Sequence, residues 1–184
     1  MLQGGGALGS YQAGVYQALQ QAGVEPDWIV GTSIGAINAS LISGNAPEHR
    51  LARLTEFWSR VQRTPQLDFR GVLPGFSDKW SYWTTLTNGI PGFFTPNPLA
   101  HAGDFPLGAD HAGYYSTAPL EATLAEFVDF NLINKGNPRL TVGAAHVRTS
   151  QMTYFDSRRC KLDVQHINGV RCAPTGIPCG ARQW

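Results

Sequence analysis

Apolar positions recur regularly in the first third of the chain and again after residue 118, with a long aperiodic stretch between. From Ser10 to Ala22, Val15, Ala18, Leu19 and Ala22 follow three-and-four spacing, which predicts a helix with one buried face. Gly23 stops it. Trp28, Ile29 and Val30 predict a short buried strand, and Met1-Leu2 can be only the tail of another. A turn over Gly31 to Gly35 opens a second helix, Ala36 to Ser43, rich in small residues and closed by Gly44-Asn45. Pro47 suits the first turn of a third helix, where its missing N–H costs nothing. Leu51, Leu54, Trp58 and Val61 form the apolar stripe of that helix.

Between about Thr64 and Thr117 no period survives. The segment is rich in Gly, Pro and aromatics, among them Trp80, Tyr82, Trp83, Phe93 and Phe94. A structureless stretch this long is uncommon in a compact domain unless it covers a functional site. It reads as an irregular cap with short helices, its aromatics as ordinary core or as a lipid-facing lining. Pro119 to Phe130 predict a helix with Leu120, Leu124, Phe127 and Val128 inward. Arg139–Val147 and Gln151–Phe155 alternate like two strands of a hairpin. Strand, helix, strand, helix at the start predicts an α/β fold with a parallel sheet and crossover helices.

Composition sharpens this picture. A chain of 184 residues, 42% hydrophobic, can bury one core, so one domain is expected. Fourteen Lys and Arg against thirteen Asp and Glu leave a formal charge of +1, which argues against a nucleic-acid partner. No run approaches the ~20 apolar residues of a membrane span, and no basic-then-apolar leader opens the chain. Cys160, Cys172 and Cys179, odd in number and all within the last 25 residues, are poor material for a disulfide framework. A cytoplasmic protein is expected, with any membrane contact peripheral.

Two glycine clusters carry the candidate chemistry. Gly31-Thr32-Ser33-Ile34-Gly35 fits G-x-S-x-G between a predicted strand and a predicted helix, the context a nucleophile elbow requires. Ser33 would sit on a strained turn with its hydroxyl thrust outward, at a helix N-terminus whose dipole favours developing negative charge. The same string also arises in ordinary turns. The other cluster, Gly4, Gly5, Gly6 and Gly9, admits two readings. A dinucleotide site needs an acidic residue ending the next strand. Asp27 precedes Trp28-Ile29-Val30 instead, and the strand ends at the elbow. As an oxyanion hole, the backbone N–H groups of Gly4, Gly5 and Gly6 would be unobstructed by side chains. Two glycine loops at neighbouring strand ends would then serve one reaction.

Here the sequence resembles the patatin-like phospholipases, especially their bacterial acyl-hydrolase branch. The resemblance rests on LQGGGALGSYQAGVYQAL and GTSIGAINA, with GYYSTAPLEATLAEFVDFNLIN and RLTVGAAHVRTSQMTYFD further on, and covers most of residues 1 to 159. It implies a three-layer α/β/α sandwich with a mainly parallel central sheet, and a Ser–Asp dyad that hydrolyses lipid esters or phospholipids without cofactor or metal. Ser33 would be the nucleophile, with Gly31, Thr32, Ile34 and Gly35 forming its elbow. Gly4, Gly5, Gly6 and Gly9 would form the oxyanion loop. None of the histidines, His49, His101, His111, His146 and His166, lies in a motif that marks a base. A triad stays open, since its members are distant in sequence. Cys160, Cys172 and His166 lack zinc spacing.

The family's catalytic Asp stands in Asp-Gly-Gly or Asp-Gly-Ala, and this chain has no Asp-Gly pair: Asp156 precedes Ser and Asp163 precedes Val. The first strand is also shorter than the resemblance implies, so the chain reads as truncated at both ends. Residues 160–184 form an atypical tail expected to pack poorly. With third bases chosen to fit, codons for Asn168–Trp184 read one base forward encode MASGALPPAFPAVRVN, close to the family segment MASGALPPAFP, which points to a frameshift. A serine acyl hydrolase lacking its base is the expectation. The alternatives are a non-catalytic fragment or lipid-binding remnant and, further off, a nucleotide-binding α/β protein. Reaction with a fluorophosphonate separates the first from the second, and dinucleotide binding would reveal the third.

Overall fold

The structure, a computed structural model, describes residues 1–62, 95–96, 115–116, 118–145 and 151–168. Two units divide it: Met1–Trp58 with Leu124–Trp184, and Ser59–Thr123. In chain order come α1 (Gly9–Gln21), β1 (Trp28–Thr32), α2 (Ile34–Ser43), α3 (Pro47–Gln62), β2 (Thr95–Pro96), β3 (Tyr115–Ser116), α4 (Ala118–Phe127), α5 (Phe130–Asn134), β4 (Arg139–Ala145), β5 (Met152–Asp156) and α6 (Val164–Asn168). In the second unit β2 pairs antiparallel with β3. The rest of the cap expected over 64–117 lies outside the described residues.

The first unit is built on a sheet ordered β1-β4-β5. β1 runs parallel to β4, from Trp28 opposite Arg139 to Thr32 opposite Gly143. β5 returns antiparallel, with Thr141 opposite Asp156. On the other edge of β1, Leu2 makes a parallel bridge to Gly31, its N–H donating to Val30 (2.7 Å) and its carbonyl accepting from Thr32 (3.2 Å). Five consecutive residues of β4, Leu140 to Ala144, are buried, as expected of a strand covered on both faces. The fold is α/β, with a small, mostly parallel sheet.

All ten residues of α2 are buried, because its small and aliphatic side chains leave no polar face. The same core holds Ile29, Leu54, Phe57, Phe127, Ile133, Leu140 and Val142, all buried. Phe57 meets Phe127 edge to face at 6.0 Å. The inward set expected of α4, Leu120, Leu124, Phe127 and Val128, is buried throughout. That helix stops at Phe127, and Asp129 starts a new one by accepting the Asn131 N–H at 2.8 Å.

Three expectations need correction. α1 does not bury Val15 and Leu19, which are 40% and 38% exposed; it buries Tyr16. The Tyr16 hydroxyl donates to Glu25, which pairs with Arg50 at 2.6 Å. Burial first, then the Glu25 carboxylate, push the Tyr16 phenol up to about 12. A polar partner thus draws an aromatic inward where aliphatic periodicity points elsewhere. Packing also does not fail at residue 160: Leu162 and Ile167 are core residues, and Asn134 bonds the backbone of Leu162 through both ends of its amide. Residues 169–184 lie outside the described residues. Cys160, finally, is disulfide-bonded.

Candidate active site

Ser33 occupies the turn between β1 and α2 with φ 54° and ψ −128°, the one described non-glycine residue at positive φ. Such a conformation costs a side-chain-bearing residue ~1–3 kcal/mol, and here the fold imposes it. The turn folds so tightly that a Cβ on Gly31 would stand 2.4 Å from the Gly35 carbonyl oxygen and 2.7 Å from Ala36. Ser33 itself is exposed, while Ile34 to Ser40 behind it are buried.

The first glycine cluster lies beside this turn. Leu2 pairs with the end of β1, so the chain leaves the sheet edge next to Ser33. A Cβ on Gly4 would stand 3.2 Å from the Ser33 Cβ and 3.9 Å from its Oγ. Gly5 (φ 149°) and Gly6 (φ 57°) take conformations that L side chains resist. A short 3-10 turn, Gly6–Leu8, then passes into α1.

The two motifs are keyed into each other. A Cβ on Gly35 would lie 2.2 Å from the Leu2 carbonyl oxygen and 2.7 Å from that of Gln3. A Cβ on Gly9 would lie 2.5 Å from Ile34 and 3.0 Å from Trp58. Each cluster therefore surrenders side chains to let the other's backbone approach. The contact of Gly9 with Ile34 also sets two helix N-termini side by side, and both dipoles favour negative charge between them. No Asp, Glu, Lys or Arg occurs before Glu25, so backbone dipoles dominate the field that the glycine-loop segment sets up there.

Asp156 does not share this end of the sheet. Through Thr141 it stands at the level of Val30, two strands across from β1 and three residues short of Ser33. Strand spacings of ~4.8 Å and ~3.3 Å per residue put the two about 14 Å apart. Arg139 pairs with the Asp156 carboxylate at 2.5 Å, and the Thr141 hydroxyl and Arg158 N–H each donate at 3.0 Å. Burial raises its pKa, but these donors outweigh it and hold the carboxyl below the ordinary 3.8. Asp163 is likewise occupied, at 2.7 Å from His166 Nδ1 and accepting from Gln165 N–H. His101, His111 and His146 lie outside the described residues.

The structure thus brings together Gly4, Gly9, Gly31, Thr32, Ser33, Ile34 and Gly35, with Gly5 and Gly6 in the same loop. Sequence spacing does not single out Asn38, which is fully buried on α2 behind the turn.

An α/β fold carrying an exposed serine on a strand–turn–helix, flanked by a second helix-opening glycine loop, defines the class. The chain belongs to the patatin-like phospholipase family, whose model matches residues 1–171. It is 52% identical over 46 residues to lysophospholipase nte1 of Aspergillus terreus (strain NIH 2624 / FGSC A1156), a match covering 25% of this chain and 3% of that protein. No solved structure matches it.

Proposed function

We propose that this chain carries the nucleophile and oxyanion loop of a serine hydrolase acting on lipid esters. The observation that carries the reading is Ser33, exposed and held at φ 54°, with Gly4 against it. In the reaction the Ser33 Oγ bonds to the ester carbonyl carbon as its proton passes to a general base. The carbonyl oxygen gains the negative charge, and N–H groups of the Gly4–Gly6 loop receive it. Collapse breaks the ester C–O bond, the base returns the proton to the departing alcohol, and water then releases the acyl group from Ser33.

Family membership supports a lipid substrate, and the surface beside the loop suits one. Leu8 and Tyr11, one helical turn apart, are 77% and 78% exposed. Such side chains favour contact with an acyl chain or a membrane surface, so peripheral membrane contact is part of the proposal. Among the described residues no helix is long and apolar enough to cross a membrane.

The base belongs elsewhere in our reading. The Asp-Gly pair of the Ser–Asp dyad is absent, and Asp156 is distant and engaged. We therefore expect turnover by these 184 residues alone to be very low, since general-base assistance is worth ~10²–10⁴-fold. A one-base frame change near codon 160 would account for the missing pair, and the coding DNA from about codon 155 onward would reveal it.

An activated fluorophosphonate tests the nucleophile directly. Peptide mass spectrometry should find the adduct on Ser33, and Ser33→Ala should remove it. Labelling that survives Ser33→Ala, or none at all after prolonged exposure, would reject the assignment.

A further inference from the structure

Asn38 lies one helical turn into α2 and is fully buried. Its Nδ2 donates to the Gly9 carbonyl and to Gln12 Oε1, both at 2.8 Å. Its Oδ1 accepts from Trp58 Nε1 at 3.0 Å. An indole N–H only donates and a carbonyl only accepts, so these partners fix which way the amide faces. Gln12 continues the chain of bonds, its Nε2 donating to the Gln3 carbonyl at 2.8 Å.

Gln3 and Gly9 are the two ends of the glycine loop. One amide on the helix behind Ser33 therefore reaches the exit of the loop directly and its entrance through Gln12. We infer that Asn38 is a positioning residue that clamps the glycine loop against Ser33. Its buried neighbour Ser40 behaves differently, donating back into its own helix at Ile37. A buried amide that served only its own helix would do likewise. Asn38 spends its hydrogen bonds on α1, the glycine loop and α3. Trp58 completes the amide and also walls Gly9, so the same three elements meet at one point.

The consequence for reaction rests on the acyl-transfer reading above; the clamp itself does not. Two measurements on the full chain keep them apart: hydrogen exchange of the amides at residues 4–9 relative to β4, and the rate of Ser33 phosphonylation by a fluorophosphonate. Asn38→Leu should speed loop exchange about tenfold or more relative to β4. It should also slow phosphonylation ~10–100-fold, the scale of a displacement near 1 Å. Gln12→Met, half-exposed and able to fold if Asn38→Leu does not, should loosen residues 4–6 more than Gly9. Leu41→Ala, in the same helix but outside the clamp, should lower global stability without selective exchange in the loop. If both clamp variants behave like Leu41→Ala, the inference is wrong. It also falls if the loop loosens while Ser33 reacts at the wild-type rate. If wild-type Ser33 never reacts, the acyl-transfer reading fails, and the exchange data alone decide the clamp.

Discussion

Gly4 lies flat against Ser33: a Cβ on Gly4 would stand 3.2 Å from the serine's Cβ and 3.9 Å from its Oγ. The backbone of Gly4 is not in the left-handed region, so alanine there meets crowding against Ser33 and no backbone strain. Gly4→Ala should therefore push the loop by a few tenths of an ångström and cost about 1 kcal/mol. If the loop receives the oxyanion as proposed, phosphonylation of Ser33 should slow far more, ~10-fold or beyond, since its N–H groups would have to meet that charge within hydrogen-bond range. Equilibrium denaturation and labelling kinetics on the same preparation separate the two effects. An unchanged labelling rate would remove Gly4 from the site.

Gly35 and Gly31 make a different prediction. Their Cβ atoms would meet backbone, at 2.2 Å (Leu2 O) and 2.4 Å (Gly35 O), and backbone cannot rotate away. Gly35→Ala and Gly31→Ala should each cost more than about 3 kcal/mol. Gly14 is the internal control, since a Cβ there meets nothing within 4 Å. On the helix α1, Gly14→Ala should stabilise by ~0.5–1 kcal/mol. Urea midpoints at matched m-value would rank the three.

Strain at Ser33 is itself measurable. Ser33→Gly relieves the positive-φ penalty of ~1–3 kcal/mol and forfeits ~0.5–1 kcal/mol through a freer unfolded chain. A net gain of about 1 kcal/mol in unfolding free energy follows. Ser33→Ala keeps a Cβ, hence the strain, and should leave stability unchanged. Both variants should lose phosphonylation. On the proposed reading, that strain serves to hold the hydroxyl in position. If Ser33→Gly is no more stable than Ser33→Ala, the turn is not strained.

What the sequence made legible follows from how local each constraint is. The Gly31-x-Ser33-x-Gly35 spacing encodes a steric requirement within five residues, so the strand–turn–helix could be read directly. The stripe on α4 was legible because burial there is purely apolar. The reciprocal need of Gly35 for room beside Leu2 is not written in either motif, since it joins segments that meet only in the fold. Tyr16 replaces Val15 and Leu19 in the core because its hydroxyl finds Glu25, held in turn by Arg50. Periodicity cannot carry that partnership. Asn38 looks like an interruption of an apolar helix until Gly9, Gln12 and Trp58 are placed around it. Leu162 and Ile167 lie within the tail set apart by its composition, yet their side chains face the core.

Asp156 yields the last prediction, which separates a structural carboxylate from a catalytic one. It is 8% exposed and bonded to Arg139, Thr141 and the Arg158 N–H; Arg139 in turn lies over the Trp28 ring at 4.1 Å. Those donors hold its folded-state pKa below 3.8, against the pull of burial. A depressed carboxylate pKa means that the unfolded chain binds the proton more readily than the folded one. The stabilisation is thus complete above the ordinary value and is lost as pH falls from about 4 through the folded pKa. Asp156→Asn leaves Arg139 without its opposite charge, and should cost about 2 kcal/mol at neutral pH, between exposed and fully buried pairs. The variant should also flatten the acid side of the stability profile, because its amide cannot titrate. Ser33 phosphonylation, compared under conditions where both proteins are folded, should stay within about twofold, since the carboxylate stands on the order of 14 Å from the serine. A large loss of labelling at unchanged stability would instead make Asp156 the base.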